Sequence, residues 1–177
     1  MNNDLPIFLV TYWRNKQQND LDKGLAEQNQ VMKAWAADNN YEWIASSKRD
    51  DIERKFAGIL SGYGKDFRVQ YKGIINGSPD GTLLFEYSNI KGEPGWGQAD
   101  CDLIFQRITV SRIFIYPRDE TLKFIRQEIG VPGTFDRMNG GHKPIKEWTG
   151  RKDRKDAFAY IPINLLKKHC KGIWRSL

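Results

Sequence analysis

The first clear hydrophobic pattern in the chain is helical. Residues 20–38 place their larger side chains every three or four positions, which is the spacing of one helix face. This face is formed by Leu21, Leu25, Gln28, Met32 and Trp35. Asp20 is suited to cap the start of the helix, and the β-branched and aromatic segment 5–13 before it favours a strand or an extended arm. The pattern therefore predicts an extended segment followed by a core-facing helix.

The middle of the chain alternates between apolar runs and turn sequences. The runs are rich in β-branched and aromatic residues, and the segments 62–66 and 76–81 between them are rich in Gly, Asn and Asp. We therefore predict consecutive hairpin-type connections and a sheet with antiparallel members. The predicted strands cover residues 41–45, 56–61, 67–74, 82–89, 101–108 and 112–116.

The last third combines a helix, a long loop and a closing strand–helix unit. Asp119 and Glu120 open the helix, where acidic side chains suit the helix macrodipole. Residues 131–150 are polar and rich in Gly and Pro, which predicts a loop, and a strand at 157–163 precedes a basic helix at about 163–171. This order of elements predicts an α/β (α+β) fold with a mixed central sheet flanked by helices.

The length and composition fit one globular domain. The chain of 177 residues is 40% apolar and 28% charged, values of an ordinary folded domain. We expect a single domain over 1–177, with a core at about 20–130 and a basic C-terminal segment at about 143–177. No apolar run reaches the roughly 18 residues of a membrane span, and no signal peptide is recognisable. The expected location is the cytoplasm.

The cysteines and histidines do not have metal-site spacing. Cys101 and Cys170 lie in or beside apolar segments, so we expect two reduced thiols in or near the core. The two histidines, His142 and His169, are too few for a His-rich centre. We predict no zinc site.

The positive charge is concentrated near the C-terminus. The net charge is +6, and the segment 143–177 holds ten Lys and Arg residues against three acidic ones. Such a segment suits a polyanion, because neutralising phosphates releases counterions; a basic tail that only aids solubility is the alternative. The candidate nucleic-acid-binding residues are Arg151, Lys152, Arg154, Lys155, Lys167 and Lys168.

One predicted hairpin has the outline of a phosphodiesterase site. Such a site needs carboxylates that bind Mg²⁺ and a lysine that orients the attacking water. In the predicted hairpin 56–73, Gln70 and Lys72 share one face because strand side chains alternate with period two. Glu86 lies in the next strand, within an apolar run. The hairpin and Glu86 therefore form the candidate catalytic region.

The order of short motifs in this region resembles a known family. The motifs are Asp50–Glu53, Gln70–Gly73, Phe85–Tyr87, Gly95–Gly97 and Ala99-Asp100, followed later by Gly150–Asp153 and Ala159–Pro162. Their order is similar to that of small phage-encoded PD-(D/E)XK nuclease-like proteins, over about two-thirds of the chain. The resemblance implies a restriction-endonuclease-like fold, Mg²⁺ as the cofactor of an active member, and the cytoplasm of a host cell as the location.

The chain departs from that family at the positions of two metal ligands. The hairpin aspartate of the family falls near Ala57, and its acidic residue of the (D/E)-x-K motif is Gln70. A methyl group and a neutral amide do not replace two carboxylates as ligands of a divalent cation. The remaining metal candidates are Asp51, Asp66 and Glu86, and the catalytic candidates are Gln70, Lys72, Glu86 and Asp51.

Four further residues have two interpretations each. Trp96 is either a stacking platform for a base or a buried loop anchor. Asp100 and Asp102 are either turn residues or a second acidic pair, and Glu27 is either an accessory acid of the site or a solvated helix residue.

Three functions remain open from the sequence. The first is a nuclease-derived module that binds DNA, RNA or a host nucleic-acid-processing protein, with DNA favoured over RNA. The second is an active Mg²⁺-dependent endonuclease with a Gln-x-Lys motif. The third is an interaction protein without a nucleic acid partner. A steep loss of DNA affinity with added salt would separate the first two from the third.

Overall fold

The computed structural model describes residues 7–53, 56–73, 81–130 and 155–176. The helices are α1 Ile7–Asp38, α2 Lys48–Glu53, α3 Arg118–Ile129 and α4 Ile163–Cys170, with a short 3-10 helix at Trp96–Gln98. The strands are β1 Glu42–Ala45, β2 Gly58–Gly62, β3 Lys65–Lys72, β4 Thr82–Ser88, β5 Leu103–Thr109, β6 Arg112–Pro117, β7 Ala157–Pro162 and β8 Ile173–Ser176. The elements give a mixed α+β fold.

Two sheets organise the described residues. The larger sheet has six strands in the order β1-β2-β3-β5-β6-β8. Its β3–β5 pair is parallel and its other neighbouring pairs are antiparallel, so the sheet is mixed, as predicted. The smaller sheet is the antiparallel pair β4–β7. β4 therefore leaves the order of consecutive hairpins that the turn sequences predicted, because its apolar strand pairs with β7 in a second layer.

Helix α1 covers one face of the six-stranded sheet. Its apolar side chains pack against strand residues that alternate with those of the opposite face. We call this set the α1-side cluster; it contains Met32, Trp35, Ala36, Trp43, Ala57, Leu60, Val69, Tyr71, Phe105, Ile113 and Ile115. The helical face predicted from Met32 and Trp35 is confirmed as a core face.

The opposite face of the six-stranded sheet is covered by the β4–β7 pair, α3 and α4. We call the residues between these layers the α3-side cluster. Its members include Leu83, Phe85, Trp96, Ile104, Phe114, Tyr116, Leu122, Ile125, Ile161 and Leu166. The sheet is therefore buried on both sides, in agreement with a central sheet flanked by helices.

The strand or extended arm predicted at 5–13 is wrong for residues 7–13, because α1 begins at Ile7; residues 5 and 6 lie outside the described residues. Asp20 lies inside this helix and does not cap it. Extending an existing helix fixes one residue per added hydrogen bond, whereas starting a separate element requires a new nucleus. The helix at 20–38 therefore extends through a segment whose own composition favours a strand.

The C-terminal segment is part of the sheets. The predicted strand and helix correspond to β7 and α4, and β8 adds an edge strand beside β6. The predicted end of the core near residue 130 is therefore too early, because β7 and β8 complete the two sheets. The predicted loop 131–150 lies outside the described residues. Within the described ranges, no helix is both long and apolar enough to cross a membrane.

Candidate functional site

Strand β3 presents Gln70 and Lys72 on the same side of the sheet. Val69 and Tyr71 belong to the α1-side cluster, so the side chains between and after them face the other layer. This confirms the shared face predicted for the Gln-x-Lys pair.

Gln70 is a buried amide with an unusual environment. Its side chain is 2% exposed, and its Oε1 accepts no hydrogen bond from the described residues. A buried carbonyl oxygen without a donor costs about 1–3 kcal/mol. The position keeps a polar group although the local packing does not satisfy it.

Lys72, Trp96 and Glu86 are linked through the tryptophan. The Lys72 ammonium lies 5.6 Å from the centre of the Trp96 ring, within the range of a cation–π contact. The Trp96 backbone N–H donates to the Glu86 carboxylate at 3.3 Å. The structure therefore connects the predicted catalytic pair, Lys72 and Glu86, to one aromatic residue.

Trp96 is a buried loop anchor. Its side chain is 5% exposed and its ring lies 5.7 Å from that of Phe85. The loop approaches β4 closely, because a Cβ on Gly95 would lie 2.6 Å from the Glu86 carbonyl oxygen and one on Gly97 would lie 2.5 Å from the Phe85 ring. Burial excludes the interpretation of Trp96 as an open stacking platform.

The three candidate metal ligands lie on separate elements. Asp51 lies in α2, Glu86 lies in β4, and Asp66 lies next to the turn that begins β3. Asp66 and Lys72 are near opposite ends of β3, about 20 Å apart at the rise of an extended strand. Among the described residues, no group of three His, Cys, Asp or Glu side chains has the arrangement of a metal site.

Ala57 and Glu27 lie on the side of α1. Ala57, at the position of the hairpin aspartate of the family, packs in the α1-side cluster. Glu27 forms an ion pair with Arg107 of β5 at 2.6 Å. The sheet separates these positions from the face that carries Gln70 and Lys72, so Glu27 is not an accessory acid of that face.

Asp100 and Asp102 bind Arg68. The Arg68 guanidinium lies 2.5 Å from Asp100 Oδ1 and 3.6 Å from Asp102 Oδ1. The Arg68 backbone N–H also donates to Asp102 Oδ2 at 2.7 Å. These contacts connect the parallel strands β3 and β5, which supports a structural role for the acidic pair.

Gln106 and Tyr116 are two polar residues of the same face that the sequence did not single out. Gln106 lies beside Lys72 in the β3–β5 pairing, and its Oε1 accepts a hydrogen bond from the Tyr116 hydroxyl at 3.1 Å. Burial raises the pKa of Tyr116 well above 10.0. A glutamine in the otherwise apolar run 103–106 was the signal that could have identified this pair.

Both cysteines are buried and free, as predicted. Burial is the main cause that raises the pKa of Cys101 to about 12. Burial also raises the pKa of Cys170. Both thiols are protonated at neutral pH, which makes them poor nucleophiles.

Three of the six predicted basic residues lie in the described part of the chain and three lie outside it. Lys155 is exposed at the start of β7, and Lys167 and Lys168 are exposed in the last turn of α4. Arg151, Lys152 and Arg154 lie outside the described residues. Lys171 and Arg175, which follow α4, are exposed as well.

A groove lies on the side of the six-stranded sheet that carries α1, beside the end of that helix. It has a volume of about 470 Å³, within the usual range of small-molecule sites. We call it the aromatic groove; it is lined by Trp35, Asn39, Tyr41, Leu60, Tyr63, Phe67, Leu103, Phe105, Ile115, Tyr116, Pro117, Lys171, Ile173 and Arg175. The sequence did not predict it, because its walls come from five separate segments of the chain.

Comparisons with models of known protein families, with curated proteins and with solved structures find no match for this chain.

The likeness to PD-(D/E)XK nucleases and to the restriction-endonuclease fold therefore stays a prediction from the motifs. The described geometry adds two facts to it. The Gln-x-Lys pair shares a face as the motif requires, and the acidic candidates Asp51, Asp66 and Glu86 lie on separate elements.

Proposed function

We propose that this protein binds nucleic acid, with DNA as the expected partner, and does not cleave it. The observation that carries the proposal is the charge of the segment 155–176, which contains β7, α4 and β8. Each exposed charged side chain in the segment 155–176 is a cation, and its one acid, Asp156, is buried. Exposed cations attract a phosphate backbone, and binding releases counterions from the nucleic acid, which favours association entropically.

The candidate catalytic region supports binding over cleavage. Hydrolysis of a phosphodiester in a PD-(D/E)XK site needs a divalent cation held by converging carboxylates. Among the described residues no group of three His, Cys, Asp or Glu side chains is arranged as a metal site. The Glu86 carboxylate accepts a backbone hydrogen bond, and Lys72 lies over the Trp96 ring. These contacts support structural roles for Glu86 and Lys72.

The test is the salt dependence of binding to fluorescent single-stranded and duplex DNA, measured by anisotropy. We expect the logarithm of the binding constant to fall linearly with the logarithm of salt concentration. The double variant Lys167→Gln/Lys168→Gln should bind more weakly and reduce the slope for single strands by about 1.4, because each lost phosphate contact removes about 0.7.

The matched control is Lys23→Gln/Lys33→Gln on α1, which removes the same charge from exposed positions of another element. It should change the slope much less than the α4 variant. Equal effects of the two variants would assign the binding to net charge, and no affinity for DNA at low salt would overturn the proposal. Tighter binding to RNA of the same sequence would change the expected partner from DNA to RNA.

The endonuclease is the second candidate, favoured by the shared face of Gln70 and Lys72. It predicts Mg²⁺- or Mn²⁺-dependent cutting that Lys72→Ala abolishes, together with calorimetric metal binding that Glu86→Ala removes. We expect neither. A contaminating nuclease is not affected by the Lys72→Ala substitution in this protein. Cutting that persists in the variant therefore does not support the endonuclease candidate.

A further inference from the structure

The aromatic groove has the lining of a site for a flat ligand with negative charge. Its walls carry the rings of Trp35, Tyr41, Tyr63 and Phe67, and its floor is apolar sheet surface that includes Phe105. Lys171 and Arg175 contribute two cations, and no acidic residue is among the described residues that line it. Aromatic faces beside cations are the elements that single-stranded nucleic acid sites combine.

The aromatic residues form a connected set around Tyr41. The Tyr41 ring lies 6.2 Å from the Trp35 ring in a stacked orientation. Edge contacts at 5.3 Å and 6.5 Å join it to Tyr63 and Phe67. The rings therefore hold one another in place, which lowers the entropy lost when a ligand binds.

Tyr63 is the exposed member of this set. Its side chain is 73% exposed, which is unusual for a large aromatic residue that serves only packing. It occupies the two-residue turn between β2 and β3 together with Gly64, and both have positive φ, 52° and 72°. Asn-Gly is the preferred pair in such a turn, so tyrosine is present here despite the local backbone preference.

Left-handed backbone is concentrated at the groove. In the described ranges, the non-glycine residues with positive φ are Asn40, Tyr63 and Lys171. Tyr63 and Lys171 line the groove, and Asn40 lies between the lining residues Asn39 and Tyr41. Backbone conformations of this kind cost free energy and cluster at ligand sites.

We infer that the aromatic groove holds one unstacked base of single-stranded DNA, with the neighbouring phosphates on Lys171 and Arg175. This inference rests on the proposed function and specifies its ligand. Lys171 directly follows the last turn of α4, which carries Lys167 and Lys168, so the cations of the groove and of α4 are close along the chain. A base inside an intact duplex is not available for insertion, so the groove selects single strands.

The experiment compares affinities for a single-stranded oligothymidylate and for a duplex of the same length, measured by anisotropy at fixed salt. Tyr63→Ala should weaken single-strand binding about tenfold, since losing one stacked base costs about 1–3 kcal/mol. Duplex binding should change less than twofold. Tyr63→Phe keeps the ring and is the matched control, which should bind like the wild type.

The outcomes separate this inference from the proposed function. If the wild type binds DNA and the α4 variant weakens it, but Tyr63→Ala binds single strands normally, the groove is not a base site and the proposed function stands. If the wild type binds no nucleic acid, both fail. Sedimentation that shows a dimer broken by Tyr63→Ala would assign the groove to a second copy of the chain and overturn the inference.

Discussion

At the scale of single residues, Gln70 shows how a motif position can become a structural weakness. Its buried amide oxygen has no donor among the described residues, and the nearby pair Gln106–Tyr116 satisfies itself. A carboxylate at this position would be neutralised by a metal ion, whereas the amide gains nothing comparable from the described packing. The residue therefore contributes little to stability where it stands.

We expect Gln70→Met to raise the free energy of unfolding by about 1 kcal/mol. The substitution keeps the length of the side chain and removes a buried amide oxygen that has no donor among the described residues. Urea unfolding of both proteins measures the difference. A loss of stability greater than about 1 kcal/mol would contradict the prediction and indicate that the amide has a partner that the methionine cannot replace.

The Gln-x-Lys face was predictable because it depends only on strand period, which the sequence contains. The anchoring of Trp96 under Lys72 and the Tyr116–Gln106 hydrogen bond were not, because they join residues on different elements. The placement of the candidate acids Asp51, Asp66 and Glu86 on separate elements was not predictable for the same reason. The place of β4 in the sequence does not determine which of the two sheets it joins.

At the scale of elements, the parallel β3–β5 pair depends on a few contacts outside its own ladder. The Asp102 carboxylate accepts the Arg68 backbone N–H, and the Arg68 carbonyl accepts the Asp102 N–H at 2.8 Å. Asp100 contributes an ion pair with the same arginine, exposed to solvent. The two acids therefore differ in their expected contributions, although they are two positions apart.

We predict that Asp102→Ala destabilises the protein by about 1–2 kcal/mol, because a backbone donor loses a charged acceptor. Asp100→Ala should cost about 0.5 kcal/mol, since exposed ion pairs contribute little. Thermal unfolding at low and high salt measures both, and salt should reduce the Asp100 effect more strongly. Equal costs would show that the ion pairs, not the backbone contact, hold the two strands together.

Most strands were predictable because β-branched and aromatic runs between turn sequences determine them locally. The pairing of β3 with β5 was not, since the intervening β4 looks like the next strand of a meander and pairs with β7 instead. The helical start at Ile7 was also missed, because helix extension overrode local strand preference. Pairing is decided by tertiary burial, which a single sequence does not contain.

At the scale of the whole molecule, buried ionisable groups set the response to alkaline pH. Burial raises the pKa of Cys101 from 9.0 to about 12 and that of Tyr116 well above 10.0. Both groups keep their protons longer in the folded state than in the unfolded state. The contribution of Cys101 is fully present below pH 9 and is lost as the pH rises from about 9 toward 12, whereas that of Tyr116 begins to fall only above about pH 10.

We therefore expect the free energy of unfolding to fall above about pH 9, by about 1.4 kcal/mol per pH unit for each such group. Cys101→Ala should lower stability at pH 7 but make the alkaline decline shallower. Urea unfolding between pH 7 and pH 11 measures the slope. An unchanged slope in the variant would show that Cys101 is not buried as the structure has it.

The parallel β3–β5 pair also has a consequence for the order in which parts of the six-stranded sheet form during folding. β2–β3 and β5–β6 are hairpins between neighbouring strands, which close within microseconds. Arg68 and Asp102, which join the hairpins, are 34 positions apart, and closing a longer loop costs more chain entropy. The two hairpins are therefore expected to form first and independently, and their docking along β3 and β5 becomes the slow event that completes the sheet.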